Sequence, residues 1–476
     1  MKKLFCCMIY LSLSFLFFTF TCFHVSAETN TYKGKAGDQA FWKYHTKTQT
    51  LTISGTGSID RTIKIKGHDI VTVRKIVIKE GITSIDSHRV FERVINENCT
   101  ELSLPDSLRK LATGSFLWLE LEKLVIPKHL KDLEPGALMC LGIRELSVSA
   151  ENKYYMAKDQ ILFSRDQSTL IYYSGDREGD TYRIPSKTKV IAPLAFARNH
   201  HLKKVIMHKD IKELGAGAFF GCTNLSNVNL QQAKKLKKIE DFNGYRIGLE
   251  LYVRTEIEVD DDPPYYRDLI QTEPGNWVNM DNYYMGTFEQ TALSSIRLPD
   301  QVRFIAEDTF KKCSLLRSIT FGKNFTGEIN RHQKKRGTSA ILYDLDLTSV
   351  SFAKGNPAYC VKDHVIYSLD GKRLCQVLES CEQQDFVLPA HINEIMDGAF
   401  ANRQELTRVV VQGSLKRIGR SAFAGSQIRV FQIQGDIQQI GKGAFRYCRS
   451  LDTFLCEGTI GVIEEEAFLD CWNLNE

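Results

Sequence analysis

The sequence predicts a β-rich repeat solenoid in which each rung, of twenty-two or twenty-three residues, supplies a short strand and a turn or short helix. Three observations support this prediction. An Ala-Phe dipeptide recurs at a nearly constant interval, an aliphatic residue stands before it, and a Leu-x-x-aliphatic-x-aliphatic box follows it. Self-similarity at a fixed period of about 20–50 residues is typical of stacked repeats.

The chain begins with Met1-Lys2-Lys3 and an apolar run from Leu4 to Phe23, which leads into Val25-Ser26-Ala27. This order is typical of a secretory signal peptide, so residues 1–27 are expected to be removed after Ala27. Two alternatives stay open: the run remains in the membrane as an anchor, or Cys22 carries a lipid. Membrane contact is expected only through this segment, if it is uncleaved.

The charge and composition of the chain narrow the class of protein to which it belongs. The formal charge of +5 includes Lys2 and Lys3, so the mature chain is only mildly basic and gives no argument for nucleic-acid binding. A hydrophobic fraction of 43% is ordinary for a folded chain, while 476 residues exceed what one compact core usually organises. Several domains or a repeat array are therefore expected.

The marker phenylalanine of the dipeptide defines the period. Phe219 follows Phe196 at an interval of twenty-three positions, and Phe445 follows Phe423 at an interval of twenty-two. The full dipeptide occurs at Phe196, Phe219, Phe400, Phe423, Phe445 and Phe468, and weaker copies centre on Phe91, Phe116, Leu138, Phe288 and Phe310. Because one repeat is too short to bury its apolar face alone, these side chains are expected to stack in a shared interior.

The box after each marker predicts a strand. In Leu202/Val205/Met207 and Leu406/Val409/Val411 the last positions alternate, as in a strand with one buried face. An aliphatic residue five positions before the marker is expected to be buried as well. Outward strand positions are free to vary without harming the core; they include Val125, Ile206, Arg297, Val410 and Leu455.

The combined pattern, Ile-x-x-x-Ala-Phe-x-x-Cys-x-x-Leu-x-x-Ile-x-Ile-Pro, resembles the BspA-type leucine-rich repeat of bacterial surface proteins. This resemblance implies a leucine-rich-repeat-like solenoid. Residues 28–80, with Trp42 and Gly55-Thr56-Gly57, resemble the small β-rich N-terminal cap of such proteins. The resemblance also implies adhesion to host proteins, matrix proteins or other bacteria.

The repeats fall into two arrays, residues 81–248 and 288–476. A shift of 204 positions along the sequence, here called the long duplication, matches 143–219 to the second array without a gap and pairs Tyr155 with Tyr359. In each copy alternating runs flank a turn, Asp166-Gln167 or Asp370-Gly371, which predicts a β-hairpin. Hairpin insertions are therefore expected near 150–185 and near 354–389.

An irregular insertion, residues 249–287, interrupts the period. Phe242 stands one full period after Phe219, but its aliphatic partner Ile239 precedes it by only three positions, so this rung is interpreted as degenerate. Loops on a rigid scaffold and exposed aromatic residues often carry binding. The candidate partner-binding residues are Tyr265, Tyr266, Trp277, Tyr283 and Tyr284. The alternative is a packed insertion whose aromatic residues cover a weak rung.

Two charged runs are assigned no chemistry. Asp260-Asp261-Asp262 lacks the alternating spacing and the glycine of a calcium loop, which favours a solvated acidic turn. The basic loop near 322–340, which contains Arg331-His332-Gln333-Lys334-Lys335-Arg336-Gly337, is expected to be flexible and sensitive to proteases.

The cysteines follow the repeat register, which favours packing over a disulfide framework. Cys222, Cys313, Cys448 and Cys471 each stand three residues after a marker. Buried cysteine behaves as a small hydrophobic residue. Cys448 and Cys471 are expected to stack in adjacent rungs, and Cys360 and Cys375 occupy hairpin positions; a disulfide stays open for either pair.

No motif for catalysis, a cofactor or a metal was found. His200-His201 with His208 lacks a second ligand cluster at zinc spacing, and no Gly-x-Ser-x-Gly nucleophile elbow occurs. We therefore expect no enzyme, cofactor or metal, and an extracellular protein or glycoprotein ligand for a secreted or surface-displayed chain. The alternatives are a glycan-binding or glycan-processing module and a structural surface-layer component; the sequence does not indicate the oligomeric state.

Overall fold

A computed structural model describes residues 31–65, 72–86, 90–91, 94, 98–116, 119–138, 142–237, 239, 286–327, 329 and 345–474. Within these residues the chain winds as a β-solenoid, and its short 3-10 turns are Leu230–Gln232 and Glu307–Phe310. The predicted leader, residues 249–285 of the insertion, and residues 328 and 330–340 of the basic loop lie outside the described residues.

Each rung has three sides. The first side is a box strand, formed by the predicted Leu-x-x-aliphatic-x-aliphatic box. The second is a short strand that carries the aliphatic residue before the marker, and the third is the marker turn, which contains the phenylalanine. The expectation of one strand per rung was therefore incomplete, because the short strands pair from rung to rung as a second sheet.

The box strands pair in parallel along each part of the array. They are β3 (Thr50–Gly55), β5 (Lys75–Ile78), β7 (Glu101–Ser103), β9 (Glu120–Ile126), β11 (Gly142–Val148), β15 (Thr181–Arg183), β17 (Lys204–Ile206), β19 (Asn227–Val228), β20 (Ser295–Arg297), β21 (Ser318–Phe321), β22 (Ser349–Phe352), β26 (Asp385–Leu388), β28 (Arg408–Val411), β30 (Val430–Ile433) and β32 (Thr453–Cys456).

The short strands form the second set of parallel ladders. They are β4 (Gly57–Ile59), β6 (Ile82–Ile85), β8 (Lys110–Leu111), β10 (Asp132–Leu133), β16 (Val190–Ile191), β18 (Glu213–Leu214), β27 (Glu394–Ile395), β29 (Arg417–Ile418), β31 (Ile437–Ile440) and β33 (Ile460–Ile463).

The cap predicted at the start of the array is an antiparallel meander. β1 (Thr31–Lys35) pairs with β2 (Ala40–His45), which pairs with β3. β3 then pairs in parallel with β5, so the cap continues directly into the first box sheet. Trp42 of the cap is buried. It lies so close to Gly34 that a Cβ added to Gly34 would stand 2.7 Å from the indole ring.

The two hairpin insertions expected from the long duplication are present and have the same form. The first comprises β12 (Tyr155–Lys158), β13 (Ile161–Ser164) and β14 (Thr169–Tyr173). The second comprises β23 (Tyr359–Lys362), β24 (Val365–Ser368) and β25 (Arg373–Val377). Both shift register at the matched positions Leu162/Phe163 and Ile366/Tyr367, and in both the third strand pairs in parallel with the next short strand.

The marker phenylalanines stack in the interior, as the period predicted. Ring centroids of Phe400, Phe423 and Phe445 follow one another at 4.8 Å, and neighbouring ring planes deviate by 7° and 3°. All three side chains are completely buried. Offset or parallel aromatic contacts at this spacing add to the free energy of apolar burial.

The marker turns form a third hydrogen-bonded column. The backbone N–H of Phe400 donates to the Ala422 carbonyl at 2.7 Å, and that of Phe423 donates to Ala444 at 2.7 Å. Residues two positions before and after the marker often have positive φ, as in Gly443 at 59° and Tyr447 at 61° around Phe445. This conformation turns the chain sharply while its backbone groups remain paired with the adjacent rung.

The interpretation of Phe242 as the next marker was wrong. Ile239 pairs with both Leu214 and Ile305, so it belongs to the short-strand column. Phe288 stacks on Phe219 with centroids 5.4 Å apart, and the Phe219 N–H donates to the Thr287 carbonyl at 2.9 Å. One rung therefore begins before Ile239 and finishes at Phe288. The segment between them is inserted inside that rung.

Candidate protein-binding face

The box strands present alternate side chains to solvent along the whole array. Of the outward positions expected from the sequence, Val125 and Leu455 are exposed at 43% and 47%, and Arg297 is exposed as well. Ile206 and Val410 are only partly exposed. The interior partners of these positions are buried because a strand alternates its faces with a period of two.

The last four box strands, β26, β28, β30 and β32, present a column of three apolar side chains and one amide, here called the C-terminal face. It consists of Val387, Val410, Gln432 and Leu455, which are direct cross-strand partners in the parallel ladder. Val387 and Leu455 are exposed at 58% and 47%. Because neighbouring strands lie about 4.8 Å apart, the four side chains form a continuous ridge about 15 Å long.

Polar side chains border this ridge. Arg408 donates to the Gln432 side-chain carbonyl at 3.5 Å, and the Gln432 amide donates to Glu457 at 3.4 Å. On β26 the Asp385 carboxylate accepts a bond from the Thr407 hydroxyl at 2.9 Å. An apolar centre with a polar border is the usual anatomy of a protein interface.

The equivalent face of β20, β21 and β22 has a different character. Its outward positions include Ser295, Ser318 and Ser349 in one column, and Thr320 beside Ser351 in the next, with their hydroxyl oxygens 3.1 Å apart. Small hydroxyl side chains offer little apolar area to a partner. The C-terminal face therefore has a stronger physical case for protein binding than the face of β20, β21 and β22.

Val387 was missed by sequence reasoning, although it begins the column that contains Val410 and Leu455. The repeat register would have located it, since Val387 lies one full period before Val410. The aromatic candidates Tyr265, Tyr266, Trp277, Tyr283 and Tyr284 all lie outside the described residues. Their insertion is nevertheless anchored at a defined place, between Ile239 and the Phe288 marker turn.

The cysteines at the marker register are part of the packing. The thiols of Cys222, Cys313 and Cys448 each donate to the carbonyl of the preceding rung's marker, at 3.0, 2.9 and 3.0 Å. Burial raises the pKa of Cys222 to about 12, which keeps it a thiol at neutral pH. No disulfide joins the cysteines that the structure describes.

Two of the histidines named in the sequence analysis, His200 and His208, contact different groups. His200 contacts the Thr223 hydroxyl through Nδ1 at 2.9 Å, and His208 contacts the Pro185 carbonyl through Nε2 at 3.0 Å. Burial lowers the pKa of His200. Across the described part of the chain, no three His, Cys, Asp or Glu side chains converge as metal ligands, and no helix is long and apolar enough to span a membrane.

An apolar cleft opens where the first hairpin interrupts the short-strand ladder. Leu133, Tyr155, Ile171 and Ala192 contribute to its lining. The Tyr155 hydroxyl already donates to the Lys131 carbonyl at 2.6 Å. The cleft therefore offers apolar packing, without an arrangement of acid, base and nucleophile that would support a reaction.

Comparison with known proteins gives a family and a set of similar folds. The profile of the BspA type leucine rich repeat region matches six copies, over residues 68–162, 173–246, 279–332 and 375–476, which is more than half of the chain. No curated protein sequence matches this chain.

Solved structures with similar folds are bacterial leucine-rich repeat proteins. A leucine rich cell surface protein from Faecalibacterium prausnitzii is 15% identical, with TM-score 0.37 over 69% of this chain and 96% of its own. The pneumococcal vaccine antigen PcpA is 15% identical, with TM-score 0.41 over 80% and 93%. A leucine-rich repeat protein from Eubacterium ventriosum is 16% identical, with TM-score 0.35 over 92% and 95%.

Proposed function

We propose that this chain, which belongs to the family of BspA-type leucine-rich repeat proteins, is a bacterial surface protein that binds other proteins. The more specific part of the proposal is adhesion: the ligand is an extracellular protein or glycoprotein on host tissue, matrix or another bacterium. The protein acts without a catalytic step, as a scaffold whose core is constant and whose outward side chains select the partner.

The observation that supports this proposal is the C-terminal face. Val387 and Leu455 leave about half of their side-chain area in water, although each stands on a strand that pairs in register with its neighbour, β26 with β28 and β32 with β30. Apolar area removed from water contributes about 25 cal/mol per Å². A partner that covers the column gains this term at little conformational cost, because the parallel ladder already holds the side chains in place.

The polar border of the face explains how a partner would be oriented. Arg408, Gln432 and Glu457 form a chain of weak hydrogen bonds across three rungs. Such long, exposed bonds contribute little to folding and are easily exchanged for bonds to a ligand. We infer that the three apolar side chains of the column supply affinity, while Arg408, Gln432 and Glu457 supply specificity.

The test compares two double variants of the purified chain. Val387→Lys with Leu455→Lys places two charges on the C-terminal face and is expected to reduce saturable binding to matrix proteins and epithelial cells at least about tenfold. Leu315→Lys with Leu369→Lys is the matched control, since those side chains are exposed at 55% and 52% elsewhere. Circular dichroism verifies that both variants fold.

Two outcomes would count against the proposal. If the folded wild-type chain shows no saturable binding to any of these targets, adhesion is not its role. If both double variants lose binding equally, the C-terminal face is not the contact surface, and added positive charge alone explains the effect.

A further inference from the structure

Four cations stand in a single column along the central rungs, on the turn before each short strand. They are Lys189, Lys212, Lys237 and Arg303, each two residues before the buried aliphatic residue of its short strand. The Lys212 N–H donates to the Lys189 carbonyl at 2.7 Å, and the Arg303 N–H donates to Lys237 at 3.4 Å. We call this column the basic ridge.

The pairing of the aliphatic residues fixes the order of the column. Ile191 pairs with Leu214, Leu214 with Ile239, and Ile239 with Ile305. The four cations therefore occupy four consecutive rungs, even though the chain separates Lys237 from Arg303 by the long insertion. With rungs about 4.8 Å apart, the charges are spread over about 15 Å.

All four side chains are exposed, and none forms an ion pair with another residue of the described chain. Some cations elsewhere in the array are neutralised between rungs. Lys110 lies between Asp86 and Glu134 at 3.4 and 3.0 Å, and Arg417 meets Asp397 at 2.9 Å. The four cations of the basic ridge have no such pair among the described residues, although Lys235 on one of the same turns pairs with Asp210 of the adjacent rung.

The turns that carry the ridge add further positive charge. Lys187, Lys209 and Lys234 are exposed on the same turns. Three acidic residues lie on these turns: Asp210, Glu213 and Asp300. Asp210 is paired with Lys235, and Asp300 accepts a backbone bond from Lys323 at 3.0 Å. Eight cations thus face three carboxylates on the turns 185–189, 208–213, 231–237 and 299–303.

Like charges directly opposite on neighbouring strands destabilise a sheet. Because the four cations have no ion-pair partner among the described residues, their stacking gives the fold no gain, and their backbone bonds would form with any side chain. A linear polyanion laid along the ridge would relieve the repulsion and release counterions from its own charges.

We propose that the basic ridge binds a linear sulfated polysaccharide. The proposal rests on the surface location proposed above, where such polymers are available. A nucleic acid fits less well, because single strands are held by arrays of stacking aromatic rings, and among the described residues the ridge has only Phe304, exposed at 47%, beside Arg303. Successive sulfate groups of the polymer contact the four cations one after another. This binding needs neither a nucleobase nor a pocket.

The experiment measures binding of the full chain to immobilised heparin as the probe. Lys189→Gln, Lys212→Gln, Lys237→Gln and Arg303→Gln together are expected to weaken binding at least about tenfold and to flatten its dependence on salt concentration. The control replaces four exposed lysines elsewhere, Lys43, Lys47, Lys153 and Lys354, by glutamine. It makes the same change in net charge and is expected to bind heparin like the wild type.

Three outcomes would overturn the proposal: no binding of the wild-type chain to heparin near physiological salt, equal loss in both quadruple variants, or equal binding to heparin and to its desulfated form. Tighter binding of duplex or single-stranded DNA than of heparin would assign the ridge to nucleic acid instead. The Val387→Lys/Leu455→Lys variant separates this proposal from protein binding, because it is expected to retain heparin binding whether or not the C-terminal face binds a protein.

Discussion

The thiol three residues after a marker phenylalanine bonds to the rung before its own. Cys222, Cys313 and Cys448 each contact the carbonyl of the preceding marker while buried among apolar side chains. A cysteine at this position therefore fills the space of a small apolar residue and also satisfies a buried acceptor.

The same geometry predicts an order of reactivity among the thiols. Burial raises the pKa of Cys222 and of Cys375 to about 12, whereas the pKa of Cys471, which is only half-buried, is lowered by the neighbouring Cys448. The thiolate is the nucleophile. In the native protein near pH 8, Cys471 is expected to be alkylated by iodoacetamide first, and Cys222 and Cys375 last, as measured by peptide mass spectrometry over time.

Raising the pH toward 9 should increase the absolute alkylation rate of Cys471, since its thiolate fraction grows, while the thiolate fraction of Cys222 stays small below its pKa. The denatured chain is the control, in which all three are expected to react at similar rates. Preferential labelling of Cys222 in the native state would contradict the burial of its thiol.

The left-handed residues of the marker turns were not evident from the sequence. The glycine pattern contained a partial signal: Gly217 and Gly221 flank Phe219 at the two positions with positive φ. Other rungs place Arg198, Tyr447 or Asp470 there, so no consensus residue marks the turn. The backbone bonds to adjacent rungs hold these residues in a conformation that costs an L-amino acid about 1–2 kcal/mol.

Gly443→Ala tests this feature of the marker turn. Its φ is 59°, and an added Cβ would have its nearest neighbour at 3.6 Å, so the expected loss comes from the backbone conformation and not from a clash. We expect the free energy of unfolding to fall by about 1 kcal/mol, as measured by urea denaturation. Asp470→Gly, at φ 62°, makes the reverse change and is not expected to destabilise the fold. A loss as large as that of Gly443→Ala would contradict this explanation.

The short strands show where prediction from sequence was limited. Box strands were predictable because three alternating positions, as in Leu406/Val409/Val411, repeat in register. The short strand at Arg417–Ile418 contains two residues and a single buried side chain, so it has no alternation to detect. It is a strand only because the neighbouring rungs supply its partners.

Across the whole molecule, the contacts between rungs, and not the sequence interval, decide which phenylalanine is the next marker. Phe242 satisfied the repeat interval after Phe219, yet Phe288 is the ring that stacks there. A fixed period identifies a repeat family reliably, but it cannot distinguish a degenerate rung from an insertion within a rung. The candidate Tyr265, Tyr266, Trp277, Tyr283 and Tyr284 remain a prediction for the same reason, since the contacts of an insertion have no period.

Excision of residues 240–283 tests the new assignment. It would leave four residues, 284–287, between Ile239 and Phe288, which is the normal interval between an aliphatic residue and its marker. Because the rungs on either side already stack with ring centroids 5.4 Å apart, the shortened chain is expected to fold with thermal stability close to that of the wild type.

Circular dichroism during heating measures this stability. A variant that fails to fold, while a shorter control excision within the basic loop, residues 331–340, folds normally, would show that the insertion belongs to the core. If the excised protein folds but loses binding to its partner, the five aromatic residues become the contact residues to mutate singly.

The long duplication has a consequence for how such genes change in length. Both copies enter and leave the solenoid at the same corner, with the same hairpin and the same pairing to the following short strand. Unequal recombination between the two copies would therefore delete or add a complete block without altering the register on either side. A genome could lengthen or shorten this kind of solenoid in one event, and the rungs on either side would keep the register that closes the interior.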